Sequence, residues 1–288
     1  MATQSPHNPQ THILISGASI AGPALAYWLH RASICTTIIE RSPSLRSAGQ
    51  GIDIRGVARA VISRMGLEER IRSKVTHEIG LQFVDQNGEA RASFPMEENG
   101  NSFTSDIEIL RGDLAEDFLR EYARDHGVYL DDYVTGLEET DEGVRVTFAK
   151  GESKTFDLVV ALMLVKYLEM TPEEQKKAWR DEMSDMGWEI TRILEGMDEA
   201  PDYYMQEIAQ VNPPQFSKGR ITLVGDAGYC PSPISGMGTS SAILGAYYLA
   251  GELGACKGDW GEGLKNYEGR IEAGDERVQK LPPGARGS

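Results

Sequence analysis

Cysteine is scarce in this chain: Cys35, Cys230 and Cys256 stand far apart among 288 residues, and no CxxC pair joins them. That excludes a zinc ribbon or a dithiol redox motif and suits a reducing compartment. Long apolar runs are also missing. No stretch reaches the eighteen or so apolar residues of a membrane span, and Met1 to Gln10 is polar without an apolar signal core. The expectation is a cytoplasmic protein with no membrane span. Positive charge is in deficit, with 29 basic residues against 44 acidic ones and a formal charge of -15. Such a chain repels phosphate backbones, so nucleic acid is a poor partner. The five histidines, His7, His12, His30, His77 and His126, form no ligand-spaced cluster, and no metal is expected.

What is present is a globular composition, 40% hydrophobic, with alternating strand and helix signals. Thr11 to Ser16 (THILIS) reads as a β-branched strand, Ile20 to His30 carries Leu25, Trp28 and Leu29 at helical spacing, and Cys35 to Glu40 (CTTIIE) is a second strand. This strand–turn–helix–strand unit opens a doubly wound, Rossmann-like α/β fold. Helices are predicted over Gly112 to His126 and Thr239 to Leu253, and strands over Val144 to Phe148, Phe156 to Val160 and Arg220 to Val224. Ala161 to Lys166 reads as a strand with no hairpin partner nearby. Thr171-Pro172-Glu173-Glu174 has the cap, first-turn proline and carboxylate of a helix start, and Trp179, Met183 and Met186 behind it read as core packing.

Between the first strand and its helix lies Gly17-Ala18-Ser19-Ile20-Ala21-Gly22. Gly17 suits a tight turn and Gly22 lets the helix approach the sheet, so that a pyrophosphate meets the helix amino terminus. Ser19 stands where a second glycine is usual, and its hydroxyl is a phosphate donor. Glu40, about twenty residues further on, is placed to accept both ribose hydroxyls and disfavours a phosphorylated ribose there. The nucleotide expected is therefore FAD or NAD.

A second signal is Arg220 to Gly238, RITLVGDAGYCPSPISGMG. Asp226 follows Gly225 directly after a strand, where a carboxylate suits a polyol such as a ribityl chain. The backbone of Gly236, Met237, Gly238 and Thr239 opens a helix, where amides stabilise negative charge on a flavin's pyrimidine edge. A Gly/Pro-rich surface loop capping a helix is the plainer alternative.

Together GASIAG at 17–22, Glu40-Arg41, LRGDL at 110–114 and VGDAGYCPSPISGMGTSSAILGAYYLAGEL at 224–253 resemble the group A FAD-dependent monooxygenases, of aromatic-hydroxylase fold, in their tetracycline-monooxygenase-like branch. The resemblance implies that Arg111 contacts the flavin side of the dinucleotide, that Asp226 binds the ribityl and phosphate region, and that Pro233 lines the catalytic cavity with Gly236 and Gly238. Met237 stands where glutamine is common. The cofactor-binding set is then Gly17, Ser19, Ile20, Ala21, Gly22, Glu40, Arg41, Arg111, Gly225, Asp226, Pro233, Gly236, Met237, Gly238 and Thr239.

The implied activity uses NADPH or NADH to reduce FAD, forms a flavin C4a-hydroperoxide with oxygen, and transfers one oxygen atom to an aromatic or polyketide-like small molecule of secondary metabolism. A monomer or weak dimer is expected. The chain departs from the family at Asp157 to Met163, where relatives carry an Asp-Gly turn and then most of a substrate-domain sheet. The expected division is 11–160 and 215–280 for the FAD-binding domain, with 161–214 a remnant of a smaller α+β substrate domain. Three readings stay open: an active hydroxylase, a shortened FAD-binding protein without hydroxylase activity, and a flavin-dependent oxidase or cyclase on the same scaffold.

Overall fold

The structure, a computed structural model, describes residues 11–45, 50–96, 105–122, 127–162, 170–201, 203–205 and 208–280. Its frame starts with β1 (His12–Ser16), α1 (Ala21–Arg31), β2 (Cys35–Glu40) and β3 (Gly51–Asp53). Then come α2 (Ala58–Arg64), α3 (Glu68–Arg72), β4 (Gly80–Val84), β5 (Ala90–Pro95), β6 (Glu108–Leu110) and α4 (Arg111–Tyr122). β7 (Val128–Leu130), β8 (Val134–Thr140), β9 (Gly143–Phe148), β10 (Lys154–Phe156) and β11 (Leu158–Ala161) follow. The chain continues through α5 (Pro172–Met183), α6 (Ile190–Glu199), β12 (Ser217–Lys218), β13 (Ile221–Leu223), α7 (Asp226–Tyr229), α8 (Gly238–Ala255) and α9 (Trp260–Val278).

The main sheet has the order β12-β13-β11-β1-β2-β7, parallel throughout except where β12 meets β13. Ile13, Leu14 and Ile15 are fully buried because β1 is covered on both faces. Ile13 and Ile15 join the core beneath α1, α4 and α8, which includes Leu25, Phe118 and Ile243. Leu14 points the other way, with Val144, Val146 and Phe156 of the antiparallel β8–β9–β10 sheet. Period-two alternation along one strand thus divides its side chains between two cores.

Two local expectations are corrected. The strand expected at Phe156 to Val160 is two: β10 pairs with β9, and after Asp157 the chain enters the parallel sheet as β11, Ile13 facing Leu158 in register. Asp157 makes that change of sheet by accepting from the His12 amide at 2.8 Å. The stripe Trp179, Met183, Met186 is not core: Trp179 and Met186 are exposed, Met183 is half-buried, and Met186 lies beyond the end of α5. The capping box does form, with Thr171 Oγ1 accepting from the Glu174 amide and Glu174 returning the bond to the Thr171 amide. The strand expected at Ala161 to Lys166 is described only to Leu162, Ala161 closing β11, and the helix at 112–126 only to Tyr122.

Candidate functional site

The fingerprint turn forms at the carboxyl end of β1. Gly17 sits at φ +126° and donates its amide to Ile39 O at 2.8 Å, tying the turn to β2. A Cβ on Gly22 would lie 2.1 Å from Gly17 O, so only glycine allows α1 to start this close to the turn. α1 has no side-chain cap, which leaves its first amides pointing at the turn.

A cleft of about 500 Å³ opens over this turn, lined among others by Gly17, Ser19, Glu40, Arg41, Arg111 and Tyr133. The volume suits a small-molecule ligand. Glu40 is already engaged: Oε2 accepts from the Ala18 amide at 2.8 Å and Oε1 from the Ser42 amide at 2.9 Å. Each carboxylate oxygen keeps a second lone pair, so Glu40 both holds the turn and remains an acceptor. Arg111, the first residue of α4, donates from Nη2 to Ser19 Oγ at 2.8 Å across 92 residues of chain. Arg41 stacks its guanidinium 4.7 Å from the centroid of Tyr133.

Beyond Arg111 lies the second group of candidates. Gly225 turns the chain at φ +66°, and Asp226 opens α7. Asp226 is exposed to solvent yet has protein packed around its carboxyl. Loss of hydration there pushes its carboxyl up from the ordinary value, and the Arg111 charge pulls it partly back. Gly238 lies beside Asp226, and Gly236 lies against Asp53. The amides of the 236–239 backbone are not all free. Gly236 donates to Pro233 O at 3.0 Å and Met237 to Ser235 Oγ at 3.1 Å. Those of Gly238 and Thr239 start the eighteen-residue α8, which has no side-chain cap. Pro233 is exposed on a short 3₁₀ turn. The Ile20 and Ala21 side chains are buried.

Four neighbours of these residues were not singled out by the sequence. Asp53 pairs through Oδ2 with Arg55 at 2.7 Å, the same oxygen lying by Gly236, and its other oxygen, Oδ1, is buried with no hydrogen-bond partner among the described residues. Glu108 stands opposite Asp53 in the β3–β6 pair. Burial, a hydrogen bond to Glu78 and the Glu78 and Asp53 charges push its carboxyl up to about 7, against the pull of Arg55. Cys230 is pushed up to about 11 by burial and by Asp226, which keeps it a thiol. Leu162 packs over Gly17 and Gly22. Only the acidic residue inside the apolar pair of Ile52-Asp53-Ile54 offered a signal.

A parallel sheet with an uncapped helix over a glycine turn, a carboxylate on the second strand and a cleft joining them defines a dinucleotide-binding α/β protein. Residues 10–165 match the family described as FAD binding domain. A flavin-dependent monooxygenase of Legionella longbeachae serogroup 1 (strain NSW150) is 31% identical, covering 93% of this chain and 87% of the relative. An uncharacterized protein of Mycobacterium tuberculosis (strain ATCC 25618 / H37Rv) is 34% identical, covering 93% and 92%. The crystal structure of tetracycline destructase Tet(55) superposes with a TM-score of 0.82 at 29% identity, over 96% of this chain and 88% of that one. The chain belongs to the FAD binding domain family, among the flavin-dependent monooxygenases. The mycobacterial alignment runs over 342 positions, more than the 288 residues available, so subtracting one from the other leaves at least 54 positions opposite gaps in this chain.

Proposed function

We propose that the chain binds FAD along the line from Glu40 through Ser19 and Arg111 to Asp226 and the start of α8, and that the encoded activity is oxygenation of an aromatic or polyketide-like small molecule at the expense of NADPH or NADH. The observation that carries this reading is Arg111, which donates to Ser19 of the first turn and faces Asp226 of the second, joining the two halves of a dinucleotide site. The residues fit the cofactor: a turn whose close approach only Gly22 allows, an uncapped α1, and lone pairs left on Glu40. When bound, FAD supplies hydride acceptance and oxygen activation.

The chain's own residues would then divide the work. The α1 amides and Ser19 receive the pyrophosphate, Glu40 takes the ribose hydroxyls, and Arg41 stacked on Tyr133 borders the adenosine end. Asp226 accepts from the ribityl hydroxyls, with the Arg111 charge opposing the desolvation that raises its carboxyl. The Gly238 and Thr239 amides meet negative charge on the ring's pyrimidine edge, and Pro233 with Gly236 borders the reacting face.

The division we infer is FAD-binding domain over 11–160 and 215–280, with 161–214 the remnant of a substrate domain. Trp188 donates its amide to Gln86 O at 2.8 Å, linking that remnant to the β4–β5 hairpin. A remnant roof excludes water poorly, so this form should turn over slowly and release hydrogen peroxide rather than oxygenated product. The test is FAD titration followed by nicotinamide oxidation with product and peroxide assays. Saturable FAD binding with peroxide as the main product is the expected result. A folded sample that binds no FAD refutes the cofactor assignment, and tight coupling to product shows that residues 161–214 suffice for a substrate site.

A further inference from the structure

Asp117, in the second turn of α4, carries a fully buried carboxylate. Its Oδ1 accepts from Lys74 Nζ at 2.8 Å, and its Oδ2 is buried with no hydrogen-bond partner among the described residues. A half-satisfied carboxylate is costly in a core, and apolar side chains of similar volume commonly stabilise a fold as well as a buried ion pair does, or better. What the ion pair adds is direction. Leu114 and Phe118, buried on the same helix, make apolar contacts, which resist rotation of a helix about its axis less sharply than a hydrogen bond made off that axis.

Both ends of the pair lead back to one corner of the fold. Lys74 follows α3, and the next two residues are tied to β6: Val75 bridges Ile109, and the Thr76 amide donates to Glu108 O at 2.9 Å. β6 in turn runs directly into α4 at Arg111. The Lys74 side chain on Asp117 therefore closes a ring through 74–76, β6 and the start of α4, with Arg111 at the strand-to-helix corner. Arg111 donates to Ser19 Oγ at 2.8 Å. At about 100° per residue, Arg111 and Asp117 stand about 120° apart around the helix. The two bonds thus hold α4 from different sides.

We propose that Lys74 and Asp117 are a positioning pair for the cofactor site, fixing the rotation of α4 so that Arg111 reaches Ser19. Neither residue lines the cleft over the fingerprint turn, so the pair acts through Arg111. The inference rests on the reading of Arg111 as an FAD contact.

The test replaces the pair by apolar side chains, Lys74→Met with Asp117→Leu, and follows Tm and FAD affinity together. The expected result is a Tm no lower than that of the wild type, with FAD binding weakened roughly three- to tenfold. A pair that served stability alone would move both quantities down or neither. Affinity is then measured after adding Arg111→Ala or Glu40→Gln. The loss should vanish in the Arg111→Ala background, where there is no guanidinium left to position, and add in full in the Glu40→Gln background. Asp117→Asn, nearly isosteric, is carried through the same cycle, so the result does not depend on the apolar pair folding. Wild-type FAD affinity in the pair variant and in Asp117→Asn overturns the proposal. So does a loss of equal size in the Arg111→Ala and Glu40→Gln backgrounds. An Arg111→Ala protein that binds FAD as tightly as the wild type refutes the reading of Arg111 itself, and the proposal with it, which separates that failure from a failure of the pair alone.

Discussion

The body around the parallel sheet and the region of the β4–β5 ribbon and helix α5 use similar side chains to opposite effect. Ile13, Leu14 and Ile15 of β1 are fully buried, because helices cover one side and the β8–β10 sheet the other. Ile79 and Phe83 of the ribbon are exposed, and α5 buries only Gln175 despite carrying Trp179 and Met183. Local structure nevertheless forms in both: the α5 capping box is as complete as the fingerprint turn is tight. Backbone hydrogen bonds and caps are satisfied within a few residues, whereas burial needs a partner surface that the neighbouring sequence does not supply. In the body that surface comes from distant segments of the same chain. On the ribbon it is missing from the described residues.

The largest expected effect lies in the body. Gly22→Val puts side-chain carbons against Gly17 O, where a Cβ would already stand 2.1 Å away, and should abolish FAD binding or folding; flavin fluorescence titration with far-UV circular dichroism distinguishes the two. Retained affinity would show that the turn yields. Next comes a matched pair. Phe118→Ala, fully buried, should cost about 3–5 kcal/mol of stability, while Trp188→Ala, 56% exposed, should cost under about 1 kcal/mol. Urea melts of both variants measure the contrast, and equal losses would mean that the helix region is covered in solution.

Asp226→Ala should weaken FAD binding roughly ten- to a hundredfold, because a hydrogen-bonded charged acceptor is lost. Wild-type affinity in that variant would remove Asp226 from the site. The smallest effect concerns the junction of the two regions, where Glu108 O accepts from the Thr76 amide at 2.9 Å and its side chain faces Glu78. With its carboxyl at about 7 in the folded protein and an ordinary value of 4.5, the native state keeps a proton that the unfolded chain has released. Stability from this group is therefore lost as pH rises from about 4.5 to about 7, and it is level above that. Glu108→Gln should lose less stability than wild type between those limits, measured by Tm; parallel profiles would remove Glu108 as the cause.

Amino-acid order alone determined the elements whose causes are local. The β1 turn, α1 and β2 follow from β-branched runs, Gly17 and Gly22, and the start of α5 follows from Thr171, Pro172 and Glu174. The FAD family was readable because GASIAG, Glu40, Arg111 and Gly225-Asp226 are each legible within a short window. Only tertiary structure decided what distant segments do to one another. It set Arg111 between Ser19 and Asp226, gave Glu40 two backbone amides to hold, and consumed the Gly236 and Met237 amides within their own loop. It also left Trp179 and Met186 exposed. Spacing records which side chains share a face, but burial and pairing depend on what lies across from that face, and those atoms come from parts of the chain tens to hundreds of residues away.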